Sequence, residues 1–572
     1  MTEGEQPRVT VEHRADGSVL IRNTEPAPAH GRSVLERLEH WARARPEHTF
    51  LAEREGEGWR RLSYAQAWGE VRELAARLLP LGLSAERPLM LLAPNGIAHA
   101  ELALAGMLIG VPVAPVSTAY AAPAAGGERL AEVVGRLTPG AVYVDAGEGA
   151  RAALRAAGAG EARLLEWSGV LRLAPASAEA AAEAAARVGP GTIAKFLFTS
   201  GSSGAPKAVV VTQEMLCSNL AALEAVWPQL VERPPVLVDW LPWHHTFGGN
   251  VCLGTALHFG GTLYIDEGRP RAGEVELTVE NLKRVRPSVY FNVPAGYEAL
   301  LPYLEGERAF AERFFGGLEF LFNAGAALSP STRERLEAAA TAAIGRCPPI
   351  VGSWGATETA PAATMTGFDS PPAGHVGPPL PGVTIKLSPD RGRLEMRVKG
   401  PNVTPGYWRA PQATAACFDE QGFYRSGDAG RLADEARPEA GIAFDGRLAE
   451  NFKLSTGAWV NAGAVRQAAI EAGRPLVLDA VVAGHDEECI GVLLWADAAA
   501  VTRVGEAEAR RRIGEGLARY NAGQIGSSTR IALFELLDPP PDVQSGELTA
   551  KGTLNAARVL ERRREAVARL FG

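Results

Sequence analysis

Phe196-Leu-Phe-Thr-Ser-Gly-Ser-Ser-Gly-Ala-Pro-Lys-Ala-Val-Val-Val-Thr-Gln213 decides how the rest of this chain reads. An apolar run, Ile193 to Phe198, feeds a loop of hydroxyls and glycines, and a β-branched run, Val209 to Thr212, follows it. The order is strand, loop, strand. Gly201 and Gly204 let backbone approach a ligand closely. Thr199, Ser200, Ser202 and Ser203 offer hydroxyl donors, and Lys207 offers a cation. That inventory suits a polyphosphate, whose oxygens accept hydrogen bonds. A Ser/Gly hairpin turn is the structural alternative. The loop is not a Walker loop, which needs four residues between its glycines and Lys-Ser or Lys-Thr after the second. A strand follows, so no helix N-terminus is expected to help hold the anion.

Further stretches carry chemistry outward from this loop. Leu241-Pro-Trp-His-His-Thr-Phe-Gly-Gly-Asn250 places two histidines and an aromatic on a Pro/Gly loop after a strand, a segment type that often lines a cleft. Asn323-Ala-Gly-Ala-Ala-Leu-Ser329 is a small-residue turn that would let a flat ring lie on backbone. Ser353-Trp-Gly-Ala-Thr-Glu-Thr-Ala-Pro361 holds a carboxylate, Glu358, next to a hydroxyl, Thr357. Glutamate is a hard oxygen ligand suited to phosphate-bound Mg²⁺. Asp428, in Tyr424-Arg-Ser-Gly-Asp428, can accept from two hydroxyls, and Arg447, in Asp445-Gly-Arg447, can bridge a sugar and a phosphate.

The size of 572 residues exceeds one core and predicts two to four domains. Apolar content of 46% with 22% charged residues is that of a globular protein. A net charge of −8 argues against a general nucleic-acid binder. The five cysteines are dispersed and show no CxxC or metal spacing, which predicts reduced thiols and a cytoplasmic location. The polar N-terminus has no apolar signal-like run, and Leu102 to Val116, broken by Pro112 and Pro115, is too short to span a bilayer. No membrane partner is therefore expected. A kinase would need a Val-Ala-Ile-Lys strand and a catalytic-loop motif, and neither occurs. A dinucleotide fold would need Gly-x-Gly-x-x-Gly, and Gly158-Ala-Gly160 lacks the third glycine.

Patterning predicts helices from Ser33 to Arg43, from Ser63 through Leu79, over Ala98 to Gly110 and over Ser177 to Val188, with strands at Pro88–Leu92 and Val111–Val116 between them. Helix alternating with strand implies a mainly parallel sheet in an α/β protein. Strands are expected again at 236–241, 262–265, 288–292 and 319–322. Residues 376–448 turn Gly/Pro-rich with alternating strands, as in a β-subdomain, and 450–572 read as a small α/β domain. Asp434 to Arg447 is the expected linker, with the boundary near Glu450.

Thr199-Ser-Gly-Ser-Ser-Gly-Ala-Pro-Lys207 resembles the signature loop of the adenylate-forming superfamily, which includes acyl-CoA synthetases, luciferases and peptide-synthetase adenylation domains. Serine stands at 203 where threonine is common, and alanine at 208 where glycine often stands. The resemblance runs over roughly residues 30–570 with its motifs in order. Local wording is most similar to feruloyl-CoA synthetases: Lys195-Phe-Leu-Phe-Thr-Ser-Gly201, Val236-Leu-Val-Asp-Trp-Leu-Pro-Trp243, Val289-Tyr-Phe-Asn-Val-Pro-Ala-Gly-Tyr297 and Gly400-Pro-Asn-Val-Thr-Pro-Gly-Tyr-Trp408.

The resemblance implies an adenylation domain over 1–449 and a mobile C-terminal lid over 450–572, hinged at Glu450. It implies an AMP-forming acid:CoA ligase using ATP, Mg²⁺ and coenzyme A on ferulate or a related hydroxycinnamate, acting as a monomer or homodimer. A ligase for another aryl or fatty acid, or one loading a separate acyl-carrier protein, stays open. By motif, ATP and AMP would meet the 199–204 loop, Lys207, Gly325, Ala326, Ala327, Trp354, Gly355, Ala356, Thr357, Asp428 and Arg447. Glu358 would hold the metal, while His245, Phe247, Gly325 and Ala360 would border the acyl group. Lys453, Gly457 and Trp459 would face coenzyme A, and Lys551 would be the terminal catalytic lysine.

Overall fold

The computed structural model describes residues 9–122, 127–147, 149–200, 206–271, 273–369, 372, 374–390, 392–542, 545–548 and 554–572. They fall into two compact units. The first comprises Met1–Lys386, Arg397–Ser426 and Leu432–Ile442, and the second Leu387–Met396, Gly427–Arg431 and Ala443–Gly572. Both are mixed α/β, and the overall class is the α/β architecture expected from sequence, with a β-rich stretch and a smaller C-terminal α/β part.

The alternation of helix and strand produces a six-stranded sheet in the order 206–212, 193–200, 113–115, 89–92, 141–144, 163–165. Its strands are parallel except the first pair, where Pro206–Thr212 returns antiparallel along Ile193–Ser200. A tight antiparallel return needs only a short loop, whereas each parallel step needs a crossover. Helix Ile97–Leu108 is buried nearly all round, as befits an apolar core helix rather than a surface one. Met90, Leu92, Val142 and Phe196 pack with Leu130, Val133 and Leu137 in the core of this sheet.

Two four-stranded sheets complete the parallel architecture of the first unit. One runs 236–239, 262–265, 49–55, 58–63, and the other 289–292, 320–323, 350–355, 362–365. In the second unit, strands Val477–Ala483, Ile490–Ala496 and Ile531–Leu536 form a three-stranded sheet against helices Ala462–Ala472 and Glu506–Ala522. The β-rich stretch is made of strands 384–390, 393–399, 424–432 and 442–447.

Helix starts follow their caps. Ser63 forms a full capping box with Gln66, and Ser177 accepts from Ala180 N. At the first helix the structure differs from the sequence reading: it starts at Leu35 with Val34 at the N-cap, and Ser33, one residue before it, accepts at Oγ only from Leu35 N at 3.3 Å. The expected linker 434–447 also differs, because Ile442–Arg447 is a strand with Ile442 and Ala443 buried. Among the described residues no helix is long and apolar enough to cross a membrane.

Candidate functional site

The strand register brings the ends of the hydroxyl-rich loop together. Thr199 lies opposite Lys207 and Ser200 opposite Pro206, so the two polar ends of the motif share one point of the sheet. Gly201, Ser202, Ser203 and Gly204 lie outside the described residues, as does Lys551, and Ser200 is described in its backbone only.

On its other edge, Pro206–Thr212 is joined by residues 404–408. Val210 N donates to Gly406 O at 3.0 Å, Trp408 N to Ala208 O at 2.8 Å, and Val209 bridges Tyr407. This places the Tyr407 ring under Lys207, with Nζ 5.0 Å from the ring centroid.

Glu358 reaches the same tyrosine from a different sheet. Strand Ile350–Gly355 ends in a tight turn in which Thr359 Oγ1 meets Ala356 N at 2.8 Å. Only glycine fits at 355, since a Cβ there would lie 1.8 Å from Pro361 O. The turn buries Glu358 at 7% exposure, and its Oε1 accepts from Tyr407 Oη at 2.9 Å. Burial, then the Glu358 charge, push the Tyr407 phenol well above its usual range, so it remains a donor at neutral pH. Among the described residues no hydrogen bond reaches Glu358 Oε2. One buried carboxylate with one oxygen fixed fits a Mg²⁺ ion that takes its remaining ligands from phosphate and water. It does not make an all-protein cage: the described residues contain no cluster of three or more His, Cys, Asp or Glu suited to a metal.

Trp354 is buried on the same strand, and Thr357 and Ala360 are buried beside Glu358, with Ala360 in the left-handed region at φ 73°. Gly355 is exposed and Ala356 half-buried. The adjacent parallel strand Phe320–Asn323 ends in Gly325, Ala326 and Ala327, all exposed, with Asn323 Nδ2 donating to Ala326 O at 2.9 Å. These two turns leave the carboxyl ends of neighbouring parallel strands, the usual ligand edge of such sheets.

The histidine turn is rigid. Gly248 and Gly249 pack so closely on Leu241 O and Trp243 O that a Cβ at either would lie 2.3 Å from a carbonyl oxygen. His244 and His245 are half-buried neighbours, with ring centroids 4.3 Å apart. Phe247 opens a π-helix, Phe247–Cys252, and its ring packs on Phe291 and Phe322 at 6.2 and 5.6 Å. Phe322 lies three residues before Gly325, so the histidine turn and the small-residue turn share packing. Lys195 holds the turn from the strand that leads to Thr199: its Nζ donates to Gly249 O at 2.8 Å and to Asn250 Oδ1 at 3.1 Å. Burial brings this ammonium down to about 8.

In the second unit, Arg447 Nε lies 3.4 Å from Asp428 Oδ1. The Asp is nearly covered and the Arg is mostly exposed. Asp445 is fixed by Asn461 Nδ2 at 3.1 Å, and its carbonyl by Arg393 at 2.6 Å. Glu450 is exposed in a single 3₁₀ turn, Leu448–Glu450. Lys453 and Trp459 face each other across a hairpin and are both exposed, with Gly457 at φ 87° near its tip. Glu547 is buried beneath Arg563, which holds both its oxygens at 2.8 and 3.0 Å, and Leu548 bridges Leu554.

The site residues that sequence reasoning did not single out are Tyr407 and Lys195. Each sat inside a quoted motif, but its partner is distant in sequence: Tyr407 and Glu358 are 49 positions apart, Lys195 and Gly249 54.

A family model described as AMP-binding enzyme matches residues 38–408, well over half the chain. The chain belongs to the AMP-binding enzyme family. Long chain acyl-CoA synthetase 8 of Arabidopsis thaliana is 24% identical over 461 residues, 66% of this chain and 62% of the relative. Malonate–CoA ligase of the same plant is 27% identical over 259 residues, 42% of this chain and 41% of the relative. The chain therefore spans less than two thirds of the length of these curated relatives. Among solved structures, ATP-bound MatB from Rhodopseudomonas palustris superposes with a TM-score of 0.71 at 23% identity, over 93% of this chain and 99% of that one. At that identity the likeness establishes the fold, and this AMP-binding enzyme shares it.

Proposed function

We propose that this AMP-binding enzyme is an ATP-dependent carboxylic acid:CoA ligase, working through an acyl-adenylate, with ATP, Mg²⁺ and coenzyme A. The observation that carries the reading is the ring of Tyr407: a cation, Lys207, lies on its face and a buried carboxylate, Glu358, on its hydroxyl, beside a loop built of phosphate donors. The relatives' names, a long chain acyl-CoA synthetase and a malonate–CoA ligase, support the reaction class.

In the first half-reaction a substrate carboxylate oxygen attacks the α-phosphorus of ATP, and pyrophosphate leaves. Attacker and target are both anionic, so catalysis is positioning and charge stabilisation. Lys207 and the 199–204 hydroxyls would hold the β- and γ-phosphates, and Lys551 would neutralise the entering carboxylate and the α-phosphate. Glu358 would hold Mg²⁺, which neutralises phosphate charge. Trp354 and the 325–327 turn would border adenine, and Asp428 with Arg447 the ribose. In the second half-reaction a thiol attacks the adenylate carbonyl and AMP leaves. The 453–459 hairpin would face the pantetheine arm, after a backbone change at Glu450. Glu450→Pro is expected to retain pyrophosphate release and lose thioester formation from supplied acyl-adenylate, because proline restricts φ at the pivot. Equal loss of both would remove Glu450 from this role.

The substrate we infer is a planar aryl-propenoic acid such as ferulate. Its support is the local wording around Lys195, Val236, Val289 and Gly400, and the aromatic Phe247 packed on Phe322, three residues before Gly325. A rigid flat acid loses little conformational entropy on binding. The relatives' named acids are chemically diverse, so they do not select it. The test is pyrophosphate release against a panel of aryl and alkyl acids, with and without coenzyme A. Release only with cinnamates, and thioester on adding coenzyme A, is the expected result. Better kcat/KM for medium-chain fatty acids would overturn the substrate, and adenylation with no thioester would indicate a carrier protein as acceptor. A cytoplasmic, non-membrane enzyme acting alone or as a homodimer completes the proposal.

A further inference from the structure

We infer that Tyr407 is a positioning residue that sets the phosphate cation and the metal carboxylate at a fixed separation. This rests on the reading of Glu358 as a metal ligand and of the 199–207 hairpin as a phosphate loop.

Tyr407 itself has little freedom. Its backbone N accepts no alternative: it donates to Thr414 Oγ1 at 2.9 Å, and the preceding Gly406, at φ 140°, has no room for a Cβ, which would lie 2.3 Å from Thr414 Cγ2. On the other side Trp408 N is bonded to Ala208 O at 2.8 Å, one residue from Lys207. The backbone of Glu358 is tied to the same segment, its carbonyl accepting from Thr404 N at 2.8 Å. The Tyr407 backbone therefore cannot shift without breaking the strand that carries Lys207 or the segment that holds Glu358.

Its two contacts do different things. The ring face attracts the Lys207 ammonium and keeps it beside the loop. The hydroxyl occupies Glu358 Oε1. A carboxylate with one oxygen engaged presents the other in one direction, which is how an outer hydrogen bond orients a metal ligand.

Two variants of the full chain separate these parts. Tyr407→Phe keeps the ring under Lys207 and removes the donor to Glu358. Tyr407→Leu removes both. Two readouts are taken: the Mg²⁺ concentration giving half-maximal pyrophosphate release, and the calorimetric Kd for ATP with Mg²⁺ and, separately, in EDTA. Tyr407→Phe is expected to raise the Mg²⁺ requirement by about 10-fold, the lower end for loss of an outer-shell partner, and to leave the EDTA Kd unchanged. Tyr407→Leu should also weaken ATP binding in EDTA several-fold, because Lys207 loses its seat. A wild-type Mg²⁺ requirement in Tyr407→Phe overturns the inference if Glu358→Gln raises it. If Glu358→Gln leaves it unchanged as well, the metal reading itself falls. Equal weakening of ATP with and without Mg²⁺ in Tyr407→Phe, alongside a lowered Tm, would make Tyr407 a packing residue and would also overturn it.

Discussion

Lys195 and Glu358 are both charged side chains almost closed to solvent, at 6% and 7% exposure, and the protein compensates them in opposite ways. Lys195 gives its protons to a carbonyl and an amide oxygen of one turn, and among the described residues no carboxylate pairs with it. Its coordination is directed into the protein, and the result is a tie between the strand leading to Thr199 and the turn carrying His245 and Phe247. Glu358 has one oxygen met by a phenol and the other met by no described residue. Its coordination is unfinished, and the result is a site that can take a cation. A buried charge completed by the fold serves geometry, and one left half-completed serves chemistry. The desolvation is comparable in both, so exposure alone would not separate them.

The comparison can be broken at either end. The largest effect is expected where charge chemistry is most direct: Lys551→Ala should slow adenylation by about 10²–10³-fold, the scale for loss of one preorganised charge-stabilising donor. It should spare thioester formation from supplied acyl-adenylate. Normal pyrophosphate release by that variant would mean the charge comes from another residue.

The tie at Lys195 is expected to show in stability. Burial lowers its ammonium from an ordinary 10.5 to about 8, so between those values the unfolded chain holds a proton that the folded chain has lost. Folded stability from this group therefore rises as pH increases through that window, by at most about 3 kcal/mol, and the increment is complete above the unfolded value. Urea midpoints of wild type and Lys195→Met from pH 7 to 10 should diverge with rising pH in favour of wild type. Parallel pH profiles would mean the ammonium is not held as described. The catalytic consequence should be a raised KM for the acid with kcat nearly kept, the mark of a misplaced turn.

Glu358→Gln comes next. A neutral amide is a poor ligand for a hard cation, and the Mg²⁺ requirement should rise by about 100-fold with little change in Tm. An unchanged Mg²⁺ titration would make the half-completed carboxylate a structural one, like Lys195, and erase the contrast. The smallest effect is at Gly249→Ala. Its Cβ would meet Trp243 O at 2.3 Å, and overpacking of that kind costs about 1–3 kcal/mol. The denaturation midpoint should fall accordingly, and an undisturbed midpoint would show that the histidine turn is looser than its packing indicates.

Local chemistry was legible without the fold. The order of hydroxyls, glycines and lysine from Thr199 to Lys207 predicted strand, loop, strand, and the alternation of apolar helices with short apolar strands predicted a mainly parallel sheet, because period and turn residues act over a few neighbours; the antiparallel pairing of the two strands came from the structure. Ser63 and Ser177 were readable as caps for the same reason, whereas Ser33 missed its cap by one residue. The stretch 434–447 misled because proline, glycine and charge also describe the turn before an edge of sheet, and strand 442–447 is made by its partners rather than by its own composition.

The sequence by itself determined which groups are present: a polyphosphate-type loop, a hard carboxylate at 358 and paired histidines on a glycine turn. Only the tertiary structure decided which of them meet. The Tyr407 hydroxyl comes to Glu358, and the Lys195 ammonium to Gly249, through sheets assembled from segments some fifty positions apart. Such contacts depend on register and crossover, which no local window of sequence contains. The sequence also carries no record of desolvation, since burial is a property of the packed chain. That is why a lysine written inside an apolar strand could become a structural tie, and a glutamate in an ordinary turn a carboxylate with one oxygen held and one left to bind.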